Sequence, residues 1–266
     1  MTTLTREDPM RILNKVPEVT IYFWIIKIMA TTVGETAADF LNFNLKLGLT
    51  GTSLVMAALL AAFLFMQIRA RKYIPTLYWI AVVLISVVGT LITDNLVDNF
   101  SVPLQTATLA FALALLATFI VWFSRERTLS IHTIFTRRRE AFYWLAILFT
   151  FALGTAAGDW AAEGMQLGYA HSTLMFGAMI AAVALLHYLF RTHAILAFWI
   201  AYILTRPLGA SFGDYLSQPA SHGGIGLGTV ITSAIFLISI LGLVSYLTVT
   251  RKDVRTPLSI REDRMA

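Results

Sequence analysis

The segment FWIIKIMATTVGETAADFL, residues 23–41, occurs in four versions along this chain. YWIAVVLISVVGTLITDNLV (78–97), YWLAILFTFALGTAAGDWAA (143–162) and FWIAYILTRPLGASFGDYLS (198–217) align with it without a gap. Each reads aromatic-Trp, nine residues, Gly, four residues, Asp, which gives the series Trp24/Gly34/Asp39, Trp79/Gly89/Asp94, Trp144/Gly154/Asp159 and Trp199/Gly209/Asp214. Four of the six tryptophans take the same place, so the chain is an internal repeat.

A second motif follows each of these. LGLTGTS (47–53), LGYAHST (167–173) and LGTVITS (227–233) open the next apolar run alike, and VPLQTAT (102–108) is a looser copy. The repeating unit is therefore two apolar segments long. Eight such segments, near 19–41, 47–69, 75–97, 102–124, 140–162, 168–190, 195–216 and 226–249, approach the roughly 20 residues needed to cross a bilayer as a helix. They are too long and continuous for the alternating strands of a membrane barrel. With 58% hydrophobic and 13% charged residues, the chain has too little polar surface to be dissolved in water. The expected fold is an all-α polytopic membrane bundle of eight transmembrane helices, arranged as four parallel two-helix repeats.

The charges fix an expected orientation. All but three of the 20 basic residues (Lys27, Lys46 and Arg206) lie in the tails or after the even-numbered segments. By the positive-inside rule both termini are cytoplasmic in a multi-pass protein of the bacterial inner membrane. The parts are a tail over 1–18, a first half over 19–124, a basic linker over 125–139, a second half over 140–250 and a tail over 251–266. The first 18 residues lack the apolar core of a signal peptide and are expected to be retained. The net charge of +5 is clustered between spans, which argues topology and not nucleic-acid binding. The absence of cysteine excludes disulfides, thiolate metal sites and cysteine nucleophiles.

KVPEVTIYFWIIKIMATTVGETAADF (15–40) and RPLGASFGDYL (206–216) resemble a family of bacterial multi-spanning membrane proteins built from a two-helix repeat of unknown function with a Gly-x4-Asp motif. The resemblance covers nearly the whole chain. It implies the architecture and carries no activity with it.

The repeated residues have different expected roles. The tryptophans read as interfacial anchors. The glycines, with Gly-x3-Gly spacing in GTAAG (154–158) and GASFG (209–213), read as sites of close helix contact. Each Asp lies 15 residues beyond its Trp, about 22 Å along the helix and near its far end. Stepping back by fours gives Thr31/Glu35/Asp39, Ser86/Thr90/Asp94, Phe151/Thr155/Asp159 and Arg206/Ala210/Asp214 on one face, with Lys27 below the first. Ionisable side chains inside a membrane turn inward and mark functional sites.

The candidate substrate or cation site is accordingly Glu35, Asp39, Asp94, Asp159, Asp214, Thr31, Lys27 and Arg206. Its five acids outnumber its two bases by three, a deficit that protons or a bound divalent cation would meet. Glu35, Asp39, Asp159 and His171 form a candidate metal set, while His222 is a further candidate ligand in the fourth loop. A structural alternative stands beside this, in which each Asp caps the amides that open the following helix. Pro207 removes a backbone donor inside the seventh segment, where a kink or a bare carbonyl is expected. No motif for haem, nucleotide or hydrolytic catalysis is present, so neither those cofactors nor an enzymatic activity is expected.

The expectation for function is proton-linked transport or export of a hard cation, such as manganese, through an intramembrane carboxylate site. A cation-selective pore and a non-transporting anchor, sensor or partner subunit are the alternatives. The partners expected are the lipid bilayer and the cation, with a homo-oligomer left open.

Overall fold

The computed structural model describes residues 14–44 and 48–254, so Lys46 and the outermost tail arginines lie outside the described residues. Eight α-helices are present among them: α1 (Ile21–Asp39), α2 (Gly48–Arg69), α3 (Pro75–Asp94), α4 (Leu104–Glu126), α5 (Arg137–Asp159), α6 (Gly168–Phe190), α7 (Ala194–Ser217) and α8 (Thr229–Thr250). Seven are long and apolar enough to cross a membrane. The exception is α1, a 19-residue helix that carries Lys27, Glu35 and Asp39. It tolerates them because it is walled in by α3, α7 and α8.

The odd helices form a closed inner ring in which α1 packs on α3, α3 on α5, α5 on α7 and α7 on α1. Each even helix lies outside and docks mainly on the inner helix of the following repeat, α2 on α3, α4 on α5, α6 on α7 and α8 on α1. The linker over 125–139 separates repeats 2 and 3 in sequence, but α3 and α5 pack together as the other inner neighbours do. Outer helices bury single stripes, such as Ala107, Phe111, Leu115, Thr118 and Trp122 on α4, and their other faces are bare Leu, Ile, Val and Phe. Apolar all round with one stripe buried is the pattern of a helix solvated by lipid.

The ring closes through the repeated glycines. Gly34 lies against Ser86, Gly89 against Phe151, Gly154 against Arg206 and Gly209 against Thr31, and a Cβ at any of them would fall under 3.0 Å from that neighbour. The glycine of each repeat thus receives the residue seven beyond the tryptophan of the next. Loss of one side chain lets the backbones approach, as expected where no hydrophobic force draws helices together in lipid.

The second repeated motif also has a local cause. Gly48, Gly168 and Gly228 have φ of 69°, 73° and 78°, in the region that side chains avoid, and nothing crowds them. They supply the turn into α2, α6 and α8. The second repeat has Pro103 there instead and places Ser101 at φ 54°.

One expectation fails. Trp79, Trp144 and Trp199 are buried, with 1%, 4% and 4% exposure, and Trp24 is half-buried. With Phe23, Tyr78, Tyr143, Phe198 and Tyr202 they form a continuous aromatic cluster at the end of the ring where the odd helices begin. Sequence spacing puts these rings at the interface level, but neighbouring helices cover them, as Phe119 and Trp122 of α4 and Tyr143 of α5 do for Trp199. Trp199 donates to the Leu129 carbonyl at 2.9 Å, and the Tyr78 and Tyr143 hydroxyls meet at 2.5 Å. The same end is strapped by Lys15, which binds Glu140 and the Ile68 carbonyl at 2.7 and 2.9 Å.

A candidate cation site at the acidic end of the ring

Three layers of side chains stack inside the ring above the aromatic cluster. The first holds Thr31, Ser86, Phe151 and Arg206, the second Glu35, Thr90, Thr155 and Ala210, and the third Asp39, Asp94, Asp159 and Asp214. Each layer takes one residue from each repeat, because steps of four along a helix keep nearly one face.

Arg206 breaks the symmetry and organises the middle. It is fully buried. Its Nη1 donates to the Thr31 carbonyl at 3.0 Å. Its Nη2 donates to Glu35 Oε2 at 3.0 Å, to Thr155 Oγ1 at 2.8 Å and to Thr90 Oγ1. One guanidinium on α7 therefore bonds all three other inner helices. The small Ala210 above it and Gly154 beside it leave room for the fork, and Pro207 packs on Gly154 and Gly158. α7 runs unbroken through Pro207. Thr31 also donates to the Thr205 carbonyl at 3.2 Å, which ties α1 to α7 again.

Above Arg206 opens a cavity of about 160 Å³ lined by Glu35, Asp39, Asp94, Asp98, Asp159, Glu163 and Asp214, with Asn42, Thr93, Tyr169 and Gln218. Among the described residues, no lysine or arginine lines it. Carboxylate oxygens of Glu35, Asp159 and Asp214 come within 4.8 Å of one another, close enough for one ion to touch all three. The carbonyl ends of α1, α3 and α5 point the same way and add partial negative charge.

Of the candidate residues, Glu35, Asp39, Asp94, Asp159 and Asp214 are brought to this cavity, and Arg206, bonded to the Thr31 carbonyl, joins it from beneath through its bond to Glu35. Lys27 lies deeper, between the Phe151 and Tyr202 rings, and pairs with no carboxylate. His171 is not among the lining residues. It is exposed, and its Nδ1 meets the Leu167 carbonyl of its own helix at 3.1 Å, so it is not gathered with Asp159. His222 is exposed in the 3-10 turn Ala220–His222.

The capping alternative finds no support in the geometry. Among the described residues no backbone N–H donates to any of the four Asp carboxylates, and α4, α6 and α8 start without a side-chain cap. Instead Asp39, Asp94 and Asp159 are each followed by a π-helical turn, Phe40–Asn44, Asn95–Asn99 and Trp160–Gly164. The widened turn gives an extra residue per hydrogen bond and carries Asp98 and Glu163 back over the cavity. Sequence reasoning missed those two acids. They stand four residues beyond Asp94 and Asp159, so the stripe that was followed backward also runs forward. Tyr169 holds Glu163 at 2.9 Å.

Comparison with known proteins agrees with this repeat architecture. Residues 22–73, 77–128, 142–193 and 197–253 each match the family described as Repeat of Unknown Function (DUF347). The chain belongs to that family. Each match covers one pair of helices, α1–α2, α3–α4, α5–α6 and α7–α8, so the family's repeat is the hairpin derived above. No curated protein and no solved structure matches the chain significantly.

Proposed function

We propose that this protein is a proton-linked cation transporter of the bacterial inner membrane, which takes a hard divalent cation such as Mn2+ at Glu35, Asp159 and Asp214. The observation that supports it is the convergence of these three carboxylates within 4.8 Å, in a cavity that seven acids and, among the described residues, no base line. Like charges at that spacing repel strongly, so the arrangement favours a bound cation or shared protons. Oxygen-only donors suit Mn2+, Mg2+ or Ca2+ over softer metals. In this reading the basic end is cytoplasmic, the cavity faces outward, and the Arg206 bonds and aromatic cluster close the inward path. Arg206 holds Glu35 while the site is empty and releases it as the cation arrives.

A pore reading draws on the four aspartates grouped at one mouth. The side chains of Arg206, Phe151 and the aromatic cluster, which fill the axis beneath, favour a gated carrier over a standing pore.

The test is Mn2+ uptake into proteoliposomes with and without an imposed pH gradient. Saturable flux that follows the gradient and is lost in Glu35→Gln and Asp159→Asn supports the transporter. Fast, gradient-independent conductance supports the pore. No flux of Mn2+, Mg2+ or Ca2+ removes the transport reading.

A further inference from the structure

We propose that Lys27 carries the proton exchanged for the cation, holding it while the carboxylate cluster is empty and giving it up when a cation fills the cluster. The inference rests on the cation reading above and assigns the coupling to a residue that is not a ligand.

Lys27 is fully buried, and its amine makes no hydrogen bond. Its Nζ sits 4.2 Å from the Phe151 ring centre and 4.3 Å from that of Tyr202. No acceptor locks a proton onto it. The two ring faces attract the ammonium form, and burial without an acceptor opposes it. The chamber therefore accommodates either form: a cation between two ring faces, or a neutral amine on an apolar stem.

Its surroundings connect this balance to the site above. From α7 it faces Arg206 and Tyr202, and Arg206 shares the Phe151 ring with it at 5.6 Å. Below the cavity, the buried titratable groups of α5 and α3 are Glu140, which binds Lys15, and Tyr143 and Tyr78, which are bonded to each other. α8 has no charged residue. Arg206 commits its guanidinium to Glu35, Thr90, Thr155 and the Thr31 carbonyl, which leaves Lys27 as the buried amine with no such bonds. Glu35 stands two turns up the same helix, about 12 Å away at 1.5 Å per residue. At an effective dielectric of about 20, one unit charge at that distance changes proton occupancy roughly tenfold. A cation entering the cluster thereby expels the proton, and a proton returning to Lys27 weakens the hold on the cation. The Tyr202 hydroxyl, which also makes no hydrogen bond, and the Tyr143–Tyr78 pair lie on the side away from the cavity, toward the aromatic end.

The experiment counts protons. Mn2+ is titrated by calorimetry into the purified protein in two buffers of different ionisation heat, for wild type, Lys27→Met and Lys27→Arg. Met suits an aromatic chamber, and Arg keeps a fixed charge. Both variants should release about one proton fewer per Mn2+ than wild type. In acid, Lys27→Met should bind Mn2+ roughly tenfold tighter than wild type, and in alkali Lys27→Arg roughly tenfold weaker. Equal proton release in all three proteins, with binding intact, overturns the role of Lys27 alone. So does a parallel loss of affinity in both variants, which a packing role would give. No Mn2+ binding by wild type removes the cation reading and this inference with it.

Discussion

Gly209 of the last repeat lies so close to Thr31 of the first that no Cβ fits between them, and this contact closes four tandem hairpins into a ring. The Arg206–Glu35 bond at 3.0 Å spans the same seam. The cavity exists because the chain's two ends meet there.

Alanine at Gly34, Gly89 or Gly209 should lower stability, because the added Cβ meets Ser86, Phe151 or Thr31 with backbone close behind. Overpacking of this kind costs about 1–3 kcal/mol. Gly242 is the control: it lies inside α8 with nothing within 4 Å, so alanine there should be neutral or stabilising by about 1 kcal/mol. Thermal unfolding in one detergent separates the two classes.

Removing Arg206 strands a buried carboxylate. Arg206→Met leaves Glu35 facing Asp159 and Asp214 without its counter-charge, a change that costs about 3–5 kcal/mol when one partner of a buried pair is lost. Glu35→Gln added to Arg206→Met should recover part of that loss. Equilibrium unfolding of the two single variants and the double variant gives the coupling, and strict additivity would show that the bond contributes nothing.

The cavity also ranks its own acids. Asp159→Asn and Asp214→Asn each remove a member of the triad and should weaken Mn2+ binding roughly tenfold or more, about 1.4 kcal/mol each. Asp98→Asn changes a lining residue outside the triad and should act through charge alone, with a smaller effect that fades as salt is raised. Binding isotherms at low and high salt provide the comparison.

The repeat made the architecture readable because one physical demand recurs at each copy: bare Cα where helices touch, left-handed glycine where the chain turns. The inward face of the aspartates was readable for the same reason, since a step of four stays on one side of a helix. The tryptophans were misread because position along a helix fixes depth and not direction. Only the packing of neighbouring helices, such as α4 and α5 around Trp199, decides that the rings are covered. Glu35–Arg206 pairing was equally beyond sequence, because it depends on whether repeats 1 and 4 meet. Asp98 and Glu163 keep the step of four but lie past the end of each repeat motif, in π-helical turns that no residue type announces, and those turns bring them over the cavity.

At the basic end, pH should act through Asp253. Its Oδ2 accepts the Tyr73 hydroxyl at 2.6 Å, while Oδ1 is buried without a partner. Burial raises this carboxyl above its ordinary range, and the Tyr73 hydrogen bond pulls it partly back. A raised folded value means that the folded protein holds the proton where the unfolded chain has released it. From about pH 4, the ordinary Asp range, up to the raised value, the folded state binds more protons, so stability falls as pH rises. Above that interval the loss is complete and constant. Asp253→Asn keeps an oxygen for Tyr73 and has nothing to titrate. The melting temperature of wild type minus that of Asp253→Asn should therefore decline as pH climbs from 4 and then level off. A difference that stays flat across the whole range would mean that burial does not hold the proton on Asp253. The strap joining the C-terminal segment to Tyr73 would then be indifferent to acid.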